Sequence, residues 1–168
     1  MSRTFAIEPV GIHWLEPASP LEICAHGGIR IVADGEVWLD DAEESWSLNV
    51  VCLNLTRAPG VVRFPHCGHA VVTGDDGQPV NLGCLHNRDL TVTGLADRRV
   101  RVATADRHVE VAEPDWFGAV VDFIGHVKRF YAASPARKPI DDDRAGHEAL
   151  WREVDGWLAA EARGRQME

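Results

Sequence analysis

The sequence predicts an α+β fold, a mostly antiparallel β-sheet meander packed against two C-terminal helices, and three observations predict it. Asp34-Gly35 lies between two runs that alternate apolar and polar residues, the pattern of a tight β-hairpin. From Val61 to Val111, short apolar runs recur between turn residues at the spacing of antiparallel strands. From Glu113 the apolar period lengthens to that of a helix. At 168 residues the chain has the length of one ordinary domain, 1–168, and no repeat, low-complexity tract or composition change divides it.

In chain order, Phe5 to Val10 and Leu21 to Cys24 have the short apolar runs of strands, separated by a turn marked by Pro17 and Pro20. Next, Ile29, Ile31 and Ala33 alternate with Arg30 and Val32 up to Asp34-Gly35, the dipeptide suited to a type I′ turn because both central residues take positive φ. Ser45 to Thr56 reads as a short helix, with Leu48, Val51, Cys52 and Leu55 on one face and Ser45 as N-cap. Its Val and Asn residues are mediocre helix formers and leave a strand open. After Ala58-Pro59-Gly60 come six runs: Val61 to Phe64, Ala70 to Thr73, Val80 to Leu85, Leu90 to Thr93, Val100 to Ala103 and His108 to Val111. Asp76-Gly77, Gly94 and Ala105-Asp106 mark turns between them.

The segment Glu113 to Ala133 is the longest that keeps a helical period. Phe117, Val120, Val121, Ile124, Val127 and Tyr131 fall at steps of three and four, and Trp116, Phe123 and Phe130 widen the stripe. Pro114 suits a first helical turn, Glu113 and Asp115 complement the helix dipole, and Ser134-Pro135 ends it. Such a face needs a sheet to cover it. A second helix starts at Asp141 to Asp143, buries Leu150, Trp151, Val154, Trp157, Leu158 and Ala162, and frays from Arg163.

With 45% apolar and 26% charged residues the composition is that of a soluble globular protein, and no run approaches the ~18 apolar residues of a membrane span. The opening MSRTFAIEPVGI lacks the apolar core and cleavage site of a secretory signal, which predicts a cytoplasmic protein. Four cysteines are too few for a disulfide scaffold, so Cys24, Cys52, Cys67 and Cys84 are expected to be reduced unless a metal holds some of them. A net charge of −9 argues against nucleic acid and fits a basic partner, although mild acidity is also a routine solubility device and is the first account unless the charges are clustered.

Two constellations bear on chemistry. Cys67-Gly-His69 and Cys84-Leu-His86 each place a thiol and an imidazole on one face of a strand. A two-residue Asp76-Gly77 turn would set His69 opposite Cys84 and Cys67 opposite His86, the inventory of a Cys2His2 zinc site. The rectangle so formed is loose for bonds of ~2.0 to 2.3 Å. A one-residue change of register would break it. The second constellation is charge: Asp34, Glu36, Asp40, Asp41, Glu43 and Glu44 occur with no Lys or Arg before Ser47, and Trp38 and Trp46 lie among them. Acids interleaved with Trp suit a surface for a basic protein, Asp40, Asp41, Glu43, Glu44, Trp38 and Trp46 being its residues; the same pattern also suits a solvated loop beside a core that uses both Trp side chains. No nucleophile elbow, His-Glu-x-x-His or P-loop is present, so no catalytic residue and no cofactor are assigned.

Four segments, RTFAIEPV, GIRIVADGEVWL, AVVDFIGHVKRFYAASP and the closing DDD followed by ALWREVDGWL, resemble immunity proteins found with polymorphic toxin systems. The resemblance covers the two ends of the chain, rests on core apolar positions, and does not include the Cys-x-His units. It implies a small, acidic, cytoplasmic bacterial protein that binds and blocks a cognate toxin without catalysis of its own.

Overall fold

In the computed structural model, which describes residues 5–66, 71–73, 79–81 and 87–165, the Asp34-Gly35 turn forms as its chemistry requires. Its φ values are 51° at Asp34 and 84° at Gly35. The turn joins β2 (His26–Ala33) to β3 (Glu36–Ser47), and β1 (Phe5–His13) pairs antiparallel on the other side of β2. Ile7 faces Ile31, which faces Leu39, so Phe5, Ile7, Ile29, Ile31 and Leu39 share the buried side of this sheet. Two irregularities break the β2–β3 ladder: Ile31 pairs with Leu39 but Val32 with Val37, which leaves Trp38 over and sets the parity of Asp40 and Asp41, and a larger one lies beyond Ile29. Gly27 pairs with Trp46 but Ile29 with Asp41, so the chain from Ala42 to Ser45 bulges out of register. Gly28 permits this: a Cβ there would lie 2.4 Å from the Ala42 carbonyl oxygen.

The helix expected at Ser45 starts later. Ser45 and Trp46 belong to β3, and α1 (Leu48–Thr56) follows Ser47 at the N-cap position, whose hydroxyl accepts no bond from the helix N–H groups and donates to the His66 carbonyl at 3.0 Å. Of its residues only Asn54 is not buried. A helix covered on all sides has no polar stripe, which is why its sequence left strand and helix open.

The second sheet has the order β4-β7-β8-β9, formed by β4 (Gly60–Pro65), β7 (Asn87–Leu95), β8 (Arg99–Ala103) and β9 (His108–Ala112). Among the described residues the expected continuous meander is interrupted, because β5 (Val71–Thr73) and β6 (Pro79–Asn81) pair there only with each other. Gly94 lies within β7 and not in a turn; the reversal falls at Asp97 and Arg98, with φ of 58° and 54°. Thr104 N–H bonds the Arg107 carbonyl at 2.9 Å, closing the turn expected at Ala105-Asp106.

The segment Leu21 to Cys24, expected as a strand, is irregular. Two of its backbone groups bond side chains, Leu21 N–H donating to the Ser19 hydroxyl (3.3 Å) and the Ile23 carbonyl accepting from Tyr131, and the Glu22 side chain turns back on the preceding loop. The Glu22 carboxylate accepts the N–H groups of Leu15 (3.1 Å) and Glu16 (2.7 Å), while the Tyr131 hydroxyl accepts from Ala25 N–H (3.1 Å) and donates to the Ile23 carbonyl (2.5 Å).

Helix α2 (Glu113–Ala133) has the expected bounds, with Pro114 in its first turn. Trp116, Val120, Phe123, Ile124 and Val127 are buried, and the helix lies against β1, β9 and α1. Helix α3 (Asp141–Arg165) buries Leu150 and Val154 and packs on α1 and the β5–β6 ribbon. It keeps helical form through Arg165, beyond the fraying expected at Arg163. One apolar cluster contains residues of both larger sheets and all three helices, with α1 in its interior.

Candidate binding surface

The acidic run lies on β3, where strand parity divides its members. Asp40 points outward, in register with Arg30 and 3.3 Å from its guanidinium. Asp41 stands opposite Ile29 on the inner side, 6% exposed, and the Arg88 guanidinium donates to both its oxygens at 2.7 and 2.8 Å. A carboxylate at an apolar position stays charged only with such a partner. Trp46 is also inside, 4% exposed, with its ring 6.3 Å from Phe64 and 4.2 Å from His66. Asp41 and Trp46, expected on the partner-binding surface, are therefore structural. Trp38 is half-buried beneath the Arg107 guanidinium at 5.2 Å. Glu43 and Glu44 are exposed, because the bulge opposite Gly28 carries them out of the sheet.

Two clefts, each of about 440 Å³, flank this bulge. They approach each other where Nε2 of His66, in the first, lies 3.5 Å from Glu44, in the second. The first is also lined by Glu16, Glu22, His26 and Asp143, with Leu15 and Leu21 as largely exposed apolar residues. The second is lined by Glu44, Arg88, Asp89, Thr104 and Asp106. A hydrogen bond from the Thr104 hydroxyl holds the Asp106 carboxyl below the usual carboxylate range. The cations beside these acids are already engaged: Arg88 by Asp41, Arg63 by Asp89 at 3.1 Å. Three arginines of the last hairpin are also paired, Arg98 with Glu113 (3.1 Å) and Arg99 and Arg101 with Glu110 (3.8 and 2.6 Å), while Arg107 lies over Trp38. Asp40, Asp41 and Asp89 are each paired with an arginine, whereas Glu43 and Glu44 are exposed on the bulge.

The chain matches no protein-family model, no curated protein and no solved structure. Among the described residues, no helix is long and apolar enough to cross a membrane, and no group of three or more His, Cys, Asp or Glu side chains is placed to hold a metal.

Cys67, His69, Cys84 and His86 lie outside the described residues. The nearby β5–β6 ribbon sets Thr73 opposite Pro79, whereas a two-residue Asp76-Gly77 turn requires Thr73 opposite Val80. The ribbon is one residue away from the register that the Cys2His2 arrangement requires. Of the described cysteines, Cys52 is fully buried in α1, where desolvation pushes its thiol pKa up, and Cys24 accepts a 3.6 Å hydrogen bond from the Asn49 amide. Cys52 is therefore not a reactive thiolate.

The surface groups that sequence reasoning missed, Glu22, Asp89, Asp106 and Asp143, come from a loop, a strand, a turn and a helix start. No local pattern connects them. His66, visible in the sequence only as a neighbour of Cys67, links the two clefts.

Proposed function

We propose that the chain is a non-catalytic binding protein of the immunity type. It occludes a basic bacterial toxin domain in the cytoplasm, using the surface formed by Asp40, Glu43, Glu44 and the clefts on either side. The observation that carries the reading is the β3 bulge, which drives Glu43 and Glu44 outward between two carboxylate-lined clefts. Long-range attraction to a basic domain speeds encounter, and the exposed Leu15 and Leu21 supply apolar contact once the partner is seated. No reaction is asked of the protein; blocking requires only affinity and coverage.

The test is binding of the purified chain to the toxin-type product of the neighbouring reading frame, measured across a salt series. Glu43→Lys with Glu44→Lys should slow association by roughly ten-fold at low salt and flatten its salt dependence. Unchanged association would remove this surface from the interface, and absence of any complex with that product would overturn the immunity reading.

A further inference from the structure

The two clefts beside the bulge have equal volumes and different rims. Five large apolar side chains among the described residues are more than half exposed; two of them, Leu15 and Leu21, line the first cleft and none lines the second. A third, Ile140, adjoins it, standing between Asp143 on the cleft wall and Lys138, whose N–H bonds the Pro20 carbonyl at 2.6 Å. Single exposed leucines are ordinary, whereas several at the mouth of one cleft mark a contact surface.

This rim is held in place. The Glu22 carboxylate accepts from Leu15 and Glu16 N–H, and Arg137 Nη1 bonds the Ser19 carbonyl at 2.6 Å, so the loop is fastened to itself and to the segment joining α2 to α3. A surface fixed beforehand loses little freedom when it is covered.

Charge selects the occupant. Glu16, Glu22 and Asp143 line the cleft, and among the described residues no Lys or Arg does. Residues 14–26 contain Glu16 and Glu22 with no Lys or Arg, while residues 137–144 hold Asp141, Asp142 and Asp143 against Arg137, Lys138 and Arg144, so the acidic excess comes from the loop. Arg137 and Arg144 line a separate cavity, where Arg137 lies 3.8 Å over the Trp14 ring and Arg144 is 3.6 Å from Asp141. The Glu22 side chain is only 14% exposed, and its contacts are two neutral N–H groups and the His26 ring, Nε2 of which is 3.7 Å away. Neutral donors orient a carboxylate without cancelling its charge, and an enclosed charge favours a cation.

We propose that this cleft seats a Lys or Arg side chain of the partner that is flanked by apolar residues, the cation among Glu16, Glu22 and Asp143 and its neighbours against Leu15 and Leu21. The inference rests on the basic-partner reading above and separates two roles on that surface. Glu43 and Glu44 speed encounter, and the cleft sets how long the complex lasts.

The experiment titrates the full chain, labelled at its leucine methyls, with three peptides and follows the Leu15 and Leu21 signals by NMR. Acetyl-Leu-Arg-Leu-amide should give saturable shifts. The same peptide with neutral citrulline for arginine, and acetyl-Ser-Arg-Ser-amide, should each bind weaker by roughly five-fold or more. Leu15→Ser with Leu21→Ser changes only exposed side chains, so the melt should hold while affinity for the first peptide falls by about ten-fold. In the complex with the toxin-type product, the same variant should speed dissociation and leave association unchanged. No saturable shift up to about 20 mM, a generous limit for a ligand of this size, would overturn the proposal. So would equal binding of either control peptide, or unchanged peptide affinity or complex dissociation in the double-serine variant. The peptide arms use no toxin, so their failure leaves the immunity reading standing. Peptide binding without any toxin complex would overturn that reading and keep the cleft as a site for a basic, apolar segment of another protein.

Discussion

Asp41 owes its place to parity and its tolerance to Arg88. It stands among apolar neighbours opposite Ile29, and the two bonds from Arg88 replace the water it gave up. Asp41→Ala should cost about 2 kcal/mol, because it strands the guanidinium, and should lower the melting temperature by roughly 4–8 °C. Asp40→Ala removes an exposed pair with Arg30 and should cost less than ~0.5 kcal/mol. Equal effects in thermal melts would contradict the assignment. His147 gives a pH-dependent case. Its pKa falls from 6.5 to about 4 through desolvation, so the unfolded chain binds the proton more readily than the folded one. The stability it contributes is complete above pH 6.5 and is lost as pH falls toward 4. His147→Gln should therefore flatten the dependence of stability on pH in that window relative to the parent, by at most ~3 kcal/mol. A difference profile that stayed parallel would show that the ring is not desolvated. Neither environment is written near these residues in the sequence. Asp41 looks like its neighbours, and the cover of His147 comes from packing of distant segments.

At the scale of elements, the β3 bulge and α1 depend on each other. The bulge absorbs the extra residues before Trp46, returns the strand to Gly27, and lets α1 begin directly at Leu48, where the helix N–H bonds Ala25 at 2.8 Å. Gly28→Ala puts a methyl group into the Ala42 backbone and should destabilise by ~3 kcal/mol or more. Gly94→Ala, also in a strand, meets nothing within 4 Å and should be neutral or stabilising by up to ~1 kcal/mol. Denaturant unfolding of the two variants separates the readings; similar midpoints would refute the close approach at Gly28. The elements differ in how legible they were. Helix α2 announces itself because one face is wet and the other dry, whereas α1 is buried at every residue but Asn54 and has no polar face to set off its apolar one. Leu21 to Cys24 has strand composition but an irregular path, with Ser19 and Tyr131 side chains bonding its backbone.

For the whole molecule, charge distribution matters more than net charge. Arg98, Arg99 and Arg101 of the last hairpin are paired in place with Glu113 and Glu110, while Glu43 and Glu44 stay exposed beside two acid-lined clefts, and that asymmetry underlies the proposed basic partner. The register of the β5–β6 ribbon bears on the alternative, a zinc-stabilised domain. With Thr73 opposite Pro79, the premise that put four ligands on one face is not met. Elemental analysis of untagged protein should therefore find no stoichiometric zinc, and a chelator should leave the melt unchanged. Near-stoichiometric zinc with a chelator-sensitive melt would restore Cys67, His69, Cys84 and His86 as ligands.

By itself the sequence determined the features whose signals are local: the Asp34-Gly35 turn, the bounds of α2, the start of α3 and the existence of most strands. Turn dihedrals and the helical period depend on residues a few positions apart, so composition is enough to reveal them. Tertiary structure alone decided the division into two sheets and a ribbon, the start of α1, the irregular path of Leu21 to Cys24, and which acids face water. These depend on which strand lies alongside and on a bulge that shifts register. With a side-chain period of two, a shift of one residue exchanges inside for outside, and placed Asp41 in the core and Asp40 in solvent.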